Sequence, residues 1–199
     1  EVTLPLQGTV NVNIDWGCQE SGCVETGVTD VGNKSYTYAS SGTYTVKVTG
    51  SLTQFGNVDN GIPNINKLFS VVSFGNLGIT SFSGAFYGAT NLLSVPATLP
   101  SGVTDTSYMF SRASKFNQDI TGWDVSNVTD MNDMFAEASI FNGDISGWDV
   151  SSLTNMNSMF YDAAKFNSNI SQWKVDEVID MQYMFDGATD FNQNIGNWK

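Results

Sequence analysis

The apolar positions of the chain follow two different rhythms. Val10, Val12, Ile14 and Trp16 alternate with Thr9, Asn11, Asn13 and Asp15, which predicts a strand with one buried face. Tyr36 and Tyr38 predict a second strand, Ser40-Ser41-Gly42 a turn, and Tyr44, Val46 and Val48 a third strand ending at Gly50. Further on, Met-Phe recurs at 109–110, 134–135, 159–160 and 184–185, Phe-Asn at 116–117, 141–142, 166–167 and 191–192, and Trp at 123, 148, 173 and 198. Each series steps by 25 residues without insertion. Within the unit Val128–Ser152, the steps of three and four from Val128 to Phe141 predict one face of a helix or of 3₁₀ turns. Phe141 to Val150, with Asn, Gly and Asp between its apolar residues, predicts a turn and one short strand. The pattern thins out upstream: Ile79, Phe86 and Ala89 lie 24 residues before Val103, Phe110 and Ala113, and Pro96 and Pro100 place 94–102 in an irregular connection.

A fixed period of this size marks a stacked repeat. One helix and one strand per unit is the size of a leucine-rich repeat, and the unit is too short for the four strands of a propeller blade. The predicted fold class is therefore an α/β repeat: a leucine-rich-repeat solenoid over residues 51–199, of about five coils with the last incomplete, behind an antiparallel β cap over residues 1–50. A lone unit cannot bury its own apolar face, so the recurring Phe, Met and Trp are assigned to a core shared between coils. Asn117, Asn142, Asn167 and Asn192 are expected to bond the backbone of neighbouring coils as a ladder. Asp130 and Asp180, with Asn155 between them, suit a helix N-terminus, where they would cap free N–H groups. The chain stops at Trp198-Lys199 in mid-unit, so the native protein is expected to continue.

Charge narrows the partners. The chain has 199 residues, 20 acidic and 8 basic, for a net charge of −12. Nucleic acid and anionic lipid call for basic patches and are excluded as partners. No run of 18 apolar residues exists, so no membrane insertion is expected within this segment. Histidine is absent, which removes the commonest general base and the commonest transition-metal ligand. The only cysteines, Cys18 and Cys23 in GCQESGC, suit a small disulfide loop and hence an oxidising compartment.

Little catalytic chemistry is left. Without histidine no Ser-His-Asp or Cys-His site can form. Carboxylates are plentiful, but Asp119 and Asp144, like Asp124 and Asp149, recur at the repeat period, and a row is what a repeat produces without selection for a catalytic pair. No catalytic residue is assigned, and none is assigned to a metal. Cofactors are expected to be absent, with Ca²⁺ on a carboxylate row as the minor alternative, since no EF-hand loop is present. The candidate binding face is the small, polar, acidic stretch after Phe-Asn, represented by Gln118, Asp119, Asp144, Asn169 and Asn194.

The joint pattern resembles a known family. A Tyr-Thr-Tyr and Gly-Thr-Tyr-Thr-Val segment (Tyr36–Tyr38, Gly42–Val46) leads into Ala85-Phe86-Tyr87-Gly88-Ala89, then into repeated Met-Phe, Phe-Asn and Trp-Asp-Val-Ser. This is similar to the BspA-like leucine-rich-repeat surface proteins of bacteria, with the Mycoplasma-lipoprotein type of 25-residue repeat. Ile14-Asp15-Trp16-Gly17 and the Tyr-rich segment also resemble the polycystic-kidney-disease (PKD) type of immunoglobulin-like sandwich, although Gly17-Cys18-Gln19 stands where that family has Gly-Asp-Gly. The resemblance implies a secreted or cell-surface bacterial protein with a broad role in adhesion or host interaction; together with the missing catalytic residues, the expectation is a non-catalytic monomer that binds an extracellular protein or glycan. The alternatives are a structural spacer or stalk and, less favoured, a carbohydrate-active enzyme on acidic rows.

Overall fold

The computed structural model describes residues 1–59 and 61–198; the expectation about the chain's end at Lys199 lies outside them. Four strands form one antiparallel sheet: β1 (Val2–Asp15), β2 (Val24–Val28), β3 (Gly32–Tyr36) and β4 (Lys47–Phe55). The long β1 pairs with all three others, with β3 through Val2–Leu6, with β2 through Val12–Asp15 and with β4 through Leu6–Asp15. The alternation read from Val10 to Trp16 is realised, since Val10, Val12, Ile14 and Trp16 are buried. The strand expected at Tyr36 and Tyr38 ends at Tyr36, and Tyr44 and Val46 lie ahead of β4. Those tyrosines pack as rings instead: Tyr38 stacks on Tyr44 at 3.7 Å, and its hydroxyl donates to the Trp16 carbonyl at 2.7 Å. The disulfide Cys18–Cys23 closes the loop after β1, with Cα atoms 5.7 Å apart.

Strand β4 joins this sheet to the repeats. Gln54 forms a single parallel bridge to Ser81, and the series continues through Asp105, Asp130, Asn155 and Asp180. We number the coils 1 to 5 by these last five residues. Inside, identical rings lie over one another. Phe110, Phe135, Phe160 and Phe185 stack with centroids 5.5, 5.7 and 5.8 Å apart. Trp148, Trp173 and Trp198 stack at 6.2 and 6.4 Å, and each indole N–H donates to an isoleucine carbonyl of the preceding coil. The asparagine ladder is present as Asn142, Asn167 and Asn192 N–H groups donating to the Oδ1 of Asn117, Asn142 and Asn167.

The α/β leucine-rich-repeat solenoid with an antiparallel β cap is not the fold. Among the described residues no α-helix occurs, and the only helical segment is the 3₁₀ turn Ile65–Lys67. The chain is nearly all β, with one antiparallel sheet, and the coils are built from turns. The reason lies in where the N–H groups go. An α-helix returns every N–H to the fourth residue back. Here Thr106, Tyr108, Phe110 and Arg112 donate forward to the carbonyls of Asp130, Asn132, Met134 and Ala136 in the next coil, while Met109, Ser111 and Ala113 donate back three residues. Left-handed residues at each alternation, Tyr108 and Arg112 in coil 2, make this route possible and forbid the helix. The short strand expected between Phe141 and Val150 is also absent, and the bridges fall at Asp130 and its counterparts. Nor does the PKD resemblance hold as a two-layer sandwich, since a single sheet is present.

Candidate binding cleft

The polar residues singled out after Phe-Asn do structural duty. Asp119, Asp144, Asn169 and Asn194 form one column, since the period carries them to the same place in successive coils. The Asp119 carboxylate accepts the Asp144 N–H at 2.9 Å. Asp144, Asn169 and Asn194 accept the N–H two residues on, from Ser146, Ser171 and Gly196. Gln118 beside them clasps both the N–H and the carbonyl of Val95, at 2.8 and 3.1 Å. The Ser146 N–H holds the Asp144 carboxyl below the ordinary carboxylate range. Asp130, Asn155 and Asp180 cap as expected of their type, each accepting the N–H two residues on, but in a turn rather than at a helix start.

A different face carries the cleft. The inter-coil bonds align three columns: Gly84, Tyr108, Asp133, Ser158 and Tyr183; Tyr87, Ser111, Ala136, Tyr161 and Asp186; and Gly88, Arg112, Glu137, Asp162 and Gly187. Every member of the first and third columns has positive φ. Glycine takes that conformation freely, whereas other L-residues meet a steric cost of about 1–2 kcal/mol. Coil 1 has glycine at both places, and the coils after it keep mostly side chains there. Where coils 3, 4 and 5 meet, Asp133, Ala136, Glu137, Ser158, Tyr161, Tyr183 and Asp186 line an open cleft of about 360 Å³. Tyr183 is 64% exposed and Tyr161 36%.

The cleft is negative. Burial pushes the Asp133 carboxyl above its usual range, helped by the charges of Glu137 and Asp130 and opposed by a hydrogen bond with Tyr108. In coil 2 the same columns hold a cation. Arg112 donates to Glu137 at 2.9 Å, lies 5.4 Å from the centre of the Tyr87 ring, and is held more firmly protonated by that hydrogen bond. Tyr87 meets Tyr108 edge-on at 6.5 Å. No group of three or more His, Cys, Asp or Glu side chains suited to a metal occurs among the described residues, and no helix there is long and apolar enough to cross a membrane.

The variable insert after Met-Phe holds Ala136, Glu137, Tyr161 and Asp186, but its charges change sign from unit to unit and mark no uniform stripe in the sequence. The signal that would have found them is the appearance of Tyr161 and Tyr183 at places where neighbouring units carry Ala, Ser or Asp, on columns whose inner neighbours never vary so widely. Residues 78–198 match the model of a family described as Mycoplasma protein of unknown function, DUF285. No curated protein and no solved structure matches the chain.

Proposed function

Since the chain belongs to this Mycoplasma DUF285 family, we propose that it is a non-catalytic extracellular module that binds a protein or glycan partner through the cleft of coils 3 to 5. One observation carries the reading: side chains are kept at left-handed positions on this face, at Asp133, Glu137, Ser158, Asp162 and Tyr183, where glycine would relieve the steric cost. Strain retained at an exposed surface gives a reason to look there for a ligand. The exposed tyrosine rings add contact area that is rigid and amphipathic, suited to either partner class. The disulfide Cys18–Cys23 supports an oxidising, extracellular setting.

The test is a screen of the purified chain on arrays of extracellular proteins and glycans, with and without Ca²⁺. A partner lost in the double variant Tyr161→Ala, Tyr183→Ala and retained in Asp119→Ala supports the cleft. A partner lost only in Asp119→Ala moves the site to the Asp119 column. Silence in both conditions overturns the binding reading and leaves a spacer as the function.

A further inference from the structure

We propose that the cleft receives the guanidinium of an arginine side chain presented by a partner polypeptide, in the place that Arg112 fills three coils earlier. This rests on the reading of the cleft as the binding face and names the chemistry of what enters it.

Tyr161 and Tyr183 stand in the same two columns, one coil apart, as Tyr87 and Tyr108. At the first pair the chain supplies its own cation: Arg112, in the coil of Tyr108, lies over the Tyr87 ring and pairs with a carboxylate. At the second pair the residue equivalent to Arg112 is Gly187. The tyrosine remains and the cation is missing. The surroundings have shifted to suit a positive group from outside. Ser111 beside Arg112 is replaced by Asp186 and Gly88 by Asp162; of the lining carboxylates Glu137 is already paired with Arg112, which leaves Asp133 and Asp186 without an ion-pair partner among the described residues. Ala136 keeps the floor low.

Guanidinium fits better than ammonium. It is planar, stacks on an aromatic face and offers a fork of donors to carboxylates, and it is more weakly hydrated on entering a half-buried site. A neutral sugar would use the tyrosines but gain nothing from the Asp133 and Asp186 carboxylates, which have no ion-pair partner among the described residues. The chain's net charge of −12 further draws a basic segment.

The test uses amide NMR shifts on the full chain. The probes are a blocked Gly-Gly-Arg-Gly-Gly peptide, its lysine and citrulline counterparts, and N-acetylglucosamine. The arginine peptide is expected to shift the amides of Tyr161, Tyr183 and Gly187, with affinity falling as salt rises. Citrulline, the neutral isostere, is expected to bind at least about tenfold more weakly, and Tyr161→Ala to weaken the arginine peptide by about tenfold. Gly187→Arg should abolish binding by filling the place from within. The equivalent Arg112 holds the same positive φ, but a new Cβ at Gly187 would meet the Asp162 carboxylate and approach the Asp162 Cα at 3.1 Å, so that side chain and the local backbone must give way. Should that variant unfold, Tyr161→Ala carries the comparison. Absent or scattered shifts, equal affinity for citrulline, or shifts from the sugar alone overturn the arginine assignment. An array partner for which the peptide does not compete also overturns it, while leaving the binding reading intact.

Discussion

Asp130 sits in the bridge column between Asp105 and Asn155. Burial raises its carboxyl above the ordinary range, the Asp105 charge adds to this, and the Asn132 N–H and the Asn155 amide offset part of it. A carboxyl raised in the folded state binds protons more readily there than in the unfolded chain. Its contribution to stability is therefore full below the unfolded pKa and is lost as pH rises through the raised value. Asp130→Asn keeps the acceptor for Asn132 and removes the like charge. It is expected to stabilise the fold at neutral pH by up to about 1 kcal/mol, with the gain vanishing near pH 4, about the ordinary carboxylate value. Thermal unfolding of both proteins across that range reads it out; a gain that persists at the acid end would assign the effect to packing instead. The exposed Asp124, Asp144 and Asp149 run the other way. Hydrogen bonds lower them, from the Ser126 hydroxyl, the Ser146 N–H and the Ser151 hydroxyl. Their stabilisation is present above the usual carboxylate pKa and is lost as pH falls through the lowered values.

At the scale of the element, the turn segment of each coil replaces a helix by sending alternate N–H groups outward. Ser158, at φ 52°, donates forward to Gln182 at 2.8 Å. Ser158→Val is expected to cost about 1–2 kcal/mol because a β-branched residue resists the left-handed region, whereas Ser158→Gly should stay within about 0.5 kcal/mol of the parent, its relaxed φ balanced by chain entropy. Denaturant unfolding of the pair separates these, and equal losses would show that the serine hydroxyl matters more than the backbone. Beside this segment runs a threonine column. Thr80, Thr104, Thr129 and Thr154 each donate a hydroxyl to the carbonyl of the threonine before. Ile179 occupies the next place and is 88% exposed. The Thr154 carbonyl already accepts the Ile179 N–H at 2.8 Å; Ile179→Thr adds the hydroxyl donor of the column and is expected to add about 0.5–1 kcal/mol, and an unchanged midpoint would make the column incidental. The period, the shared core and the asparagine ladder were legible in the sequence because they depend on which side chains recur. Helix against turn was not, since steps of three and four satisfy both. The deciding fact, a positive φ at Tyr108, Asp133, Ser158 and Tyr183, falls on residues of three different types, and only Gly84 in coil 1 carries glycine at that place. The strand at Val10–Trp16 was legible because alternation has only one solution. The cleft was not, because its walls come from three units whose alignment becomes contact only once the coils are stacked.

Across the whole molecule, the inter-coil hydrogen bonds made by Thr106–Arg112 and its counterparts run in one direction. Coils 1 to 4 each donate to the coil after, and in coil 5 the N–H groups of Met181, Tyr183, Phe185 and Gly187 find no acceptor among the described residues. At the other end β4 supplies the partner: the Phe55 N–H donates to the Ser81 carbonyl, and Thr53 accepts from Thr80 and Ser81. Two apolar cores result, one in the sheet around Trp16 and Ile14 and one through the coils, with Phe55 and Leu77 packed against both. The short loop closed by Cys18–Cys23 restrains only the first of these, by about 2 kcal/mol on a loop-entropy basis.

Because seams between coils 2, 3, 4 and 5 repeat the same contacts at the same offset, they are interchangeable. Removing Val128–Ser152 would bring Asn117 against Asn167 and Phe110 against Phe160, each partner being the kind it had before. The shortened chain is expected to fold cooperatively with a lower unfolding midpoint, as a nearest-neighbour array one unit shorter should; a molten or aggregated product would show that the coils are not equivalent. A gene encoding such a chain can gain or lose copies by unequal recombination and still yield a folded product, so the length of the array becomes a heritable dial, adjustable without inventing a new interface.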